Sequence, residues 1–215
     1  MSDRKAELAA NLAKVRSKIP SDAVTLIVVT KTYPVSDVRA LHELGVHDFG
    51  ENRSDEGVAK AQEVSATWHY QGEIQSRKIR ELTSWAKVIH SLDDLSHATK
   101  ISNAAASEIG IFLQLSLDED PTRGGVSEAA LYPLAELVVG LPNLALKGLM
   151  CVPPIGLDPE SAFAKIAAVQ QRFQGTFSEA TSLSAGMSGD FEIAIAHGAT
   201  HIRVGSSILG SRVAR

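Results

Sequence analysis

The segment TLIVVTKTYP, residues 25–34, joins a continuous apolar run to a lysine and a turn. A strand that is apolar at successive positions, and not only at alternate ones, is typical of a parallel sheet covered on both faces. Lys31 ends this run, although burial disfavours the charged form of lysine. Two interpretations stay open from this segment alone. Either the stem packs while the ammonium reaches water, or the amine has a lowered pKa and forms an imine with a carbonyl compound.

Strand and helix patterns alternate along the rest of the chain. Further strands are predicted at residues 46–49, 68–72, 88–92, 109–117, 144–152, 183–185 and 201–204, each followed by a helical segment. Such alternation implies a parallel sheet with right-handed crossovers. No G-x-G-x-x-G follows the first strand, and the composition does not change along the chain. We therefore predict an α/β protein, a single TIM (β/α)8 barrel in one domain over residues 1–215.

Charge and composition argue against several classes of partner. The formal net charge is −4 and aromatic residues make up 5%, which favours neither a nucleic acid nor an anionic membrane. The single cysteine, Cys151, cannot form an intrachain disulfide, as is typical of a reducing cytosol. Residues 1–7 are too polar for a signal peptide, and no apolar run approaches ~18 residues. We expect a soluble cytoplasmic protein.

Two glycine-containing loops follow the seventh and eighth predicted strands. They are Gly186-Met187-Ser188-Gly189 and Gly205-Ser206-Ser207, and each leads into a helix. In TIM barrels a phosphate often binds at these two loops. Glycine lets the backbone approach an anion, and helix N-termini favour negative charge. Alone, each loop could equally be a turn glycine with a serine cap, but together they indicate a phosphate-bearing ligand.

Arg203 lies between Ile202 and Val204 on the eighth predicted strand. Alternation along a strand points it to the opposite face from both neighbours, which in a barrel can be the interior. Lys31, the two glycine loops and Arg203 would then share one pocket mouth. Pyridoxal phosphate fits this arrangement, with its aldehyde on the lysine, its phosphate in the loops and its pyridine nitrogen at the arginine.

Segments spread over nearly the whole chain carry a family resemblance. Together and in order they resemble the pyridoxal phosphate homeostasis proteins, whose barrel is similar to the alanine racemase N-terminal domain. These segments are VTKTYP (29–34), FGENR (49–53), WHYQGEIQSRK (68–78), GLM (148–150), LSAGMSGD (183–190) and RVGS (203–206). Ser206 stands where the family often has threonine, which preserves a hydroxyl.

The resemblance implies a fold-type III barrel without the C-terminal β-domain of alanine racemase. It implies that Lys31 holds pyridoxal phosphate as a Schiff base, that Arg203 faces the pyridine nitrogen and that Asn52 lies beside the cofactor. By the same resemblance, the phosphate is held by Ser188, Gly205 and Ser206. The strand-end residues His69, Ser91 and Met150 would line the pocket.

The predicted function is to hold, buffer or deliver pyridoxal phosphate, without catalysis. An arginine at the pyridine nitrogen keeps that nitrogen unprotonated, so the ring is a weak electron sink. The implied partners are the cofactor and pyridoxal-phosphate-dependent apoenzymes, and we expect a monomer. The first alternative is a pyridoxal-phosphate-dependent amino-acid racemase, with Lys31 as a general base. The second is a cofactor-free Schiff-base aldolase or sugar-phosphate isomerase, with Glu51 or Asp93 as the carboxylate.

The histidines do not predict a metal site. His47, His90, His197 and His201 lack the grouping of metal ligands in the sequence. The predicted site therefore contains no catalytic residue and no metal.

Overall fold

The computed structural model describes residues 3–118, 120 and 122–210. Eight strands close into a barrel in chain order, and the last strand pairs in parallel with the first. The predicted single TIM-type barrel is therefore confirmed. The strands are β1 (Thr25–Val29), β2 (Asp48–Glu51), β3 (Thr67–Tyr70), β4 (Val88–Leu92), β5 (Ile109–Leu115), β6 (Leu144–Cys151), β7 (Ser182–Met187) and β8 (His201–Val204).

Helices surround the barrel, one preceding the first strand and one following each strand. They are α1 (Asp3–Arg16), α2 (Val35–Glu43), α3 (Ser54–Glu63), α4 (Ile79–Trp85), α5 (Leu95–Ala104), α6 (Glu128–Gly140), α7 (Pro159–Thr176), α8 (Phe191–Ala196) and α9 (Ser206–Leu209). A 3-10 turn, Ser76–Lys78, leads into α4. None of the described helices combines the length and the apolar character needed to cross a bilayer.

Helix α1 completes the helical ring beside the very short α9. It packs against both α9 and α2. Arg4 donates to the carbonyl of Leu209 at 2.9 Å, and Asn11 donates to the carbonyl of Ile208 at 3.1 Å. These bonds satisfy C-terminal carbonyl groups of α9 that have no partner within the helix. Helix α1, which precedes β1, therefore fills the gap that the short α9 leaves in the helical ring beside β8.

The apolar core lies between the strands and the helices. Phe49 of β2 stacks on Trp68 of β3, and Trp68 meets Trp85 of α4 edge to face. Because strand side chains alternate between the two faces, the neighbouring residue His69 points into the barrel. The helix-facing layer is thus aromatic and aliphatic, while much of the barrel interior is polar.

All eight predicted strands are confirmed, most of them with shifts at their ends. The bounds of β4 and β8 agree with the prediction, whereas β7 was predicted to break at Gly186 and instead continues to Met187. Gly186 has φ +91°, and a Cβ there would lie 2.6 Å from the Cβ of Ala194. The register of β7 against β8 shifts between Ser184 and Met187. The glycine is accommodated by a bulge-like irregularity, so the strand is not ended by it.

Two histidines inside the barrel, the buried His90 and the partly buried His201, are held neutral. Burial and the neighbouring His69 together lower the pKa of His201 to about 4. Burial lowers the pKa of His90 well below its usual value, with contributions from His69 and Arg203. The ring of His90 stacks on Phe112 with a centroid distance of 4.4 Å. Neutral rings are the forms that such an enclosed, partly aromatic interior favours.

This burial predicts a pH-dependent stability. An unfolded histidine binds a proton near pH 6.5, whereas folded His201 does so only near pH 4. The unfolded state therefore gains protons first as the pH falls, and His201 should lower the free energy of unfolding by roughly 2 kcal/mol between pH 7 and pH 5. Urea unfolding at both pH values should show a loss smaller by that amount in His201→Gln than in the wild type. Equal losses in the two proteins would contradict this.

Candidate functional site

A cavity of about 360 Å³ opens where the strands end at their carboxyl termini. Most of its walls come from the segments that end or follow β1, β2, β3, β6, β7 and β8. The lining residues are Val29, Lys31, Tyr33, Asn52, Gln71, Met150, Val152, Met187, Ser188, Gly189, Arg203, Gly205 and Ser206. This is the face of a TIM barrel that carries active and binding sites.

Seven of the nine residues predicted for the site line this cavity. They are Lys31, Asn52, Met150, Ser188, Arg203, Gly205 and Ser206.

The other two predicted residues, His69 and Ser91, do not line the cavity. His69 is 2% exposed and binds Asp48 and His90 inside the barrel. It is the third residue of β3, so its side chain lies below the strand end. Ser91 lines a second cavity beside the first, and its hydroxyl donates to the carbonyl of Gly72 at 2.5 Å.

The turn that carries Lys31 is held from both sides, by buried groups on one side and by a partly exposed carboxylate on the other. Lys60 of α3 donates to the carbonyl of Thr30 at 2.8 Å, and the Thr30 hydroxyl donates to Glu51 at 2.5 Å. On the other side, the Thr32 N–H donates to Glu56 at 2.7 Å. Thr32 has φ +70°, a conformation that costs energy for a β-branched residue. These bonds compensate for that cost and fix the backbone around Lys31.

An ion pair inside the protein anchors this arrangement. Lys60 Nζ lies 2.6 Å from Glu51 Oε1, and the two side chains are 6% and 0% exposed. Glu56 accepts from the same ammonium at 3.4 Å. Burial raises the pKa of Glu51, and the Lys60 ammonium opposes that shift. Because neither charge reaches water, each depends on the other for compensation.

Arg203 is buried beneath the cavity and points its guanidinium across the barrel. It donates to Ser184 Oγ at 2.7 Å and to the carbonyl of Cys151 at 3.1 Å. Burial lowers the pKa of Arg203 to about 10, which leaves it protonated at neutral pH. A guanidinium has five N–H donors and no acceptor. Arg203 can therefore donate to an acceptor atom of a ligand but cannot accept a proton from it.

The loops after β7 and β8 meet at Ser188. Its Oγ accepts from the N–H groups of Gly205 and Ser207, each at 3.3 Å. A Cβ at Gly205 would lie 3.2 Å from the carbonyl oxygen of Val29, so the backbone there has little room for a side chain. The hydroxyls of Ser188 and Ser206 thus lie on the cavity wall beside backbone N–H groups that Ser188 Oγ holds in place. This set of neutral donors suits a phosphate group.

Two buried polar atoms on the cavity lining have no protein partner among the described residues. They are Asn52 Oδ1 and Gln71 Nε2, whereas Asn52 Nδ2 donates to the Gln71 carbonyl at 3.3 Å. Buried polar groups are normally hydrogen-bonded, so a ligand with polar edges would satisfy them. Gln71 was not predicted as a site residue. Its position just after β3 was the available signal, because polar residues at the carboxyl ends of barrel strands face the site.

The cavity walls fit pyridoxal phosphate. They bring together an amine, a cationic donor, a set of phosphate donors and two unsatisfied polar atoms. The carboxylates suggested for cofactor-free chemistry are placed elsewhere. Glu51 is paired with Lys60, and Asp93 lines the second cavity, where it accepts from Gly125 N–H at 2.9 Å. Among the described residues, no group of three or more histidine, cysteine or acidic side chains is arranged to hold a metal ion.

The fold and site define a class of barrel proteins described by a known family model. The model for the alanine racemase N-terminal domain matches residues 4–213. The similarity to full alanine racemases is one of fold. The enzyme from Corynebacterium glutamicum superposes with a TM-score of 0.77 at 12% identity, covering 95% of this chain and 60% of that one.

Closer relatives identify the family within that class. A pyridoxal phosphate homeostasis protein of Corynebacterium glutamicum is 41% identical, covering 90% of this chain and 92% of the relative. One from Pseudomonas aeruginosa is 34% identical over 95% and 96%. PipY of Synechococcus elongatus, solved with pyridoxal phosphate bound, has a TM-score of 0.87 and 33% identity over 94% of this chain and 100% of its own. The chain belongs to the pyridoxal phosphate homeostasis protein family.

The buried ion pair predicts a large effect of a single substitution. Lys60→Met leaves the buried Glu51 carboxylate without its cation and should lower the free energy of unfolding by about 3 kcal/mol or more. Removing both charges in Lys60→Met/Glu51→Leu should cost less than the single change, since no charge remains buried. Urea unfolding of both variants measures this.

Arg39→Met provides the matched control. It breaks the Arg39–Glu63 pair between α2 and α3, whose side chains are about half exposed, and should change stability by less than about 1 kcal/mol. A similar loss in Arg39→Met and Lys60→Met would show that burial is not what makes the inner pair matter.

Proposed function

We propose that this protein binds pyridoxal phosphate reversibly in the cavity at the strand ends and keeps it available to the cell. The observation that carries the proposal is the convergence of Lys31, Arg203 and Ser188 on one cavity. The family supports it, because its members are named for pyridoxal phosphate homeostasis and PipY was solved with pyridoxal phosphate bound. Holding and delivering the cofactor is the role that this site serves.

Each part of the site has a distinct task in this proposal. When bound, pyridoxal phosphate supplies an aldehyde that joins reversibly to a primary amine. Lys31 provides that amine from a turn that its neighbours hold rigid. Ser188, Gly205 and Ser206 bind the phosphate with hydroxyl and amide donors. Asn52 orients the ring from the side of β2.

Gln71, Met150, His69 and Ser91 complete the proposed surroundings of the cofactor. Gln71, just after β3, and Met150 of β6 would border the ring, since both line the cavity. His69 acts from beneath the cavity, inside the barrel, and Ser91 from the wall of the adjoining cavity. These two act indirectly.

The charge on Arg203 favours storage over catalysis. It donates to the pyridine nitrogen and keeps that atom unprotonated, because two cations within hydrogen-bond distance repel. A ring held in this way is a poor electron sink for carbanion chemistry. A racemase also needs an acid/base on the face opposite the lysine, and tyrosine serves in that role. Tyr33 lines the cavity, but its hydroxyl donates to the Gly210 carbonyl at 2.6 Å.

The wider setting of the protein belongs to the same proposal. We propose a cytoplasmic monomer, one domain over residues 1–215, that passes pyridoxal phosphate to apoenzymes and binds neither nucleic acid nor membrane. The net charge of −4 supports the last point, since it attracts no polyanion. Sedimentation velocity of the loaded protein tests the monomer: a single species near 23 kDa is expected, and a dimer at micromolar concentration would overturn it.

Covalent mapping tests the role of Lys31. After incubation with pyridoxal phosphate and reduction with borohydride, mass spectrometry should find the pyridoxyl group on the peptide that contains Lys31. Lys31→Ala should lose both the visible absorption band and the label. Lys165→Ala, a change to an exposed lysine of α7, should retain both. A pyridoxyl group on another lysine, or none at all, would overturn the proposal.

Affinity measurements test the rest of the site. Arg203→Ala and Ser188→Ala should each raise the Kd for pyridoxal phosphate by about tenfold or more, since each removes hydrogen bonds to the ligand. Ser178→Ala, at an exposed position outside the cavity, should leave Kd unchanged. Far-ultraviolet circular dichroism checks that the barrel stays folded. Unchanged affinity in both site variants would remove Arg203 and Ser188 from the site.

A further inference from the structure

A continuous chain of side chains crosses the barrel interior from Arg203 to Asp48. Arg203 Nη1 lies 2.7 Å from Ser184 Oγ, which lies 2.9 Å from His90 Nδ1. His90 Nε2 is 2.9 Å from His69 Nδ1, and His69 Nε2 is 3.0 Å from Asp48 Oδ1. Side chains from five strands, β8, β7, β4, β3 and β2, thus link the strand-end cavity to the opposite end of the barrel.

The groups at the two ends of this series of side chains determine which atom donates in each hydrogen bond. Asp48 carries an acceptor-only carboxylate, so His69 Nε2 must hold the proton in that bond. With its proton on Nε2, His69 accepts at Nδ1, which requires the proton of His90 on Nε2. His90 in turn accepts at Nδ1 from the hydroxyl of Ser184. Ser184 Oγ therefore offers its lone pairs to Arg203, which can only donate.

Because Arg203 is buried, its orientation depends on the few protein acceptors that it reaches. Arg203 and His69 are 5% and 2% exposed, and His90 and Ser184 are fully buried. Among the described residues, no carboxylate binds Arg203 directly. Its protein acceptors are Ser184 Oγ and the Cys151 carbonyl. The side chain of Asp48, at the start of β2, is 31% exposed and carries the negative charge of the chain.

We propose that Asp48, His69, His90 and Ser184 form a positioning relay that orients the Arg203 guanidinium toward the cofactor. The inference rests on the proposed function, because Arg203 is assigned there to the pyridine nitrogen. The relay fixes the tautomers of both histidines from Asp48 inward. It leaves the lone pairs of Ser184 Oγ to accept from Arg203. That bond aligns the guanidinium for its contact with the pyridine nitrogen. None of the four relay residues touches the ligand.

One consequence is testable without any ligand. In the cofactor-free protein, both His69 and His90 should carry their proton on Nε2. Two-bond nitrogen–proton correlation spectra of the imidazole rings distinguish this tautomer from the Nδ1–H form, and His69→Gln and His90→Gln variants assign the signals. A proton on Nδ1 of either histidine at neutral pH would overturn the relay, whatever the fate of the proposed function.

The second consequence concerns recognition of the pyridine nitrogen. We compare the Kd for pyridoxal phosphate with that for its 1-deaza analogue, which has a carbon in place of the ring nitrogen. The wild type should prefer pyridoxal phosphate by about tenfold or more, since the analogue cannot accept from Arg203. Asp48→Ala and Ser184→Ala should each reduce this preference at least threefold. A general loss of stability would instead weaken both ligands equally and leave the ratio unchanged.

The control is Glu108→Ala, an exposed carboxylate just before β5 at the same end of the barrel as Asp48. It should retain the wild-type ratio. A wild-type ratio in both relay variants would overturn the relay while leaving cofactor binding intact. Failure of the wild type to bind pyridoxal phosphate would instead overturn the proposed function. If Asp48→Ala does not fold, Ser184→Ala at the other end of the relay still decides the question.

Discussion

The Lys60–Glu51 ion pair is the constraint on which the geometry of the cavity depends. It joins α3 to β2 and, through Thr30, to the end of β1. Two opposite charges with 6% and 0% exposure would be costly apart, so the chain is strongly held in the arrangement that keeps them together. The backbone around Lys31 inherits that rigidity. An amine that must meet an aldehyde repeatedly at one place benefits from such a support.

The division between the two faces of the sheet explains how a small barrel can contain so much polar chemistry. Folding energy comes chiefly from the layer between strands and helices, where residues such as Phe49, Trp68 and Ile202 are almost completely buried. The interior is then available for hydrogen-bonded side chains. His90 belongs to both kinds of environment, because it stacks on Phe112 and bonds to Ser184. Polar groups inside the barrel are tolerated because most of them are paired.

The sequence predicted much of the fold and many of the residues that line the site. Continuous apolar strands, each followed by a helix, leave few topologies, and strand-end position brought Lys31, Arg203 and the glycine loops to one cavity. Lys60 was not predictable, because it follows Glu56 at the spacing of an ordinary solvated pair on a helix surface. Its burial arises only when α3 packs against β1 and β2.

The depth at which a side chain lies inside the barrel was the other feature that the sequence did not predict. His69 belongs to a segment that resembles the family pattern, yet one position along β3 separates it from the strand end. Its partners Asp48 and His90 are each 21 residues away, and their meeting depends on the stagger of neighbouring strands. Alternation predicts the face of the sheet to which a side chain points, but not its height inside the closed barrel.

Cys151, at the end of β6, can report local opening of the barrel through the reactivity of its thiol. Its carbonyl accepts from Arg203, while burial raises the pKa of its thiol to about 12. A buried, protonated sulfhydryl does not react with maleimides, nor with a cofactor aldehyde, so the native barrel is silent to thiol chemistry. Because the chain has one cysteine, any alkylation reports a single event, the exposure of the end of β6. The labelling rate thus measures how often the barrel opens locally at β6, the strand whose Cys151 carbonyl accepts from Arg203.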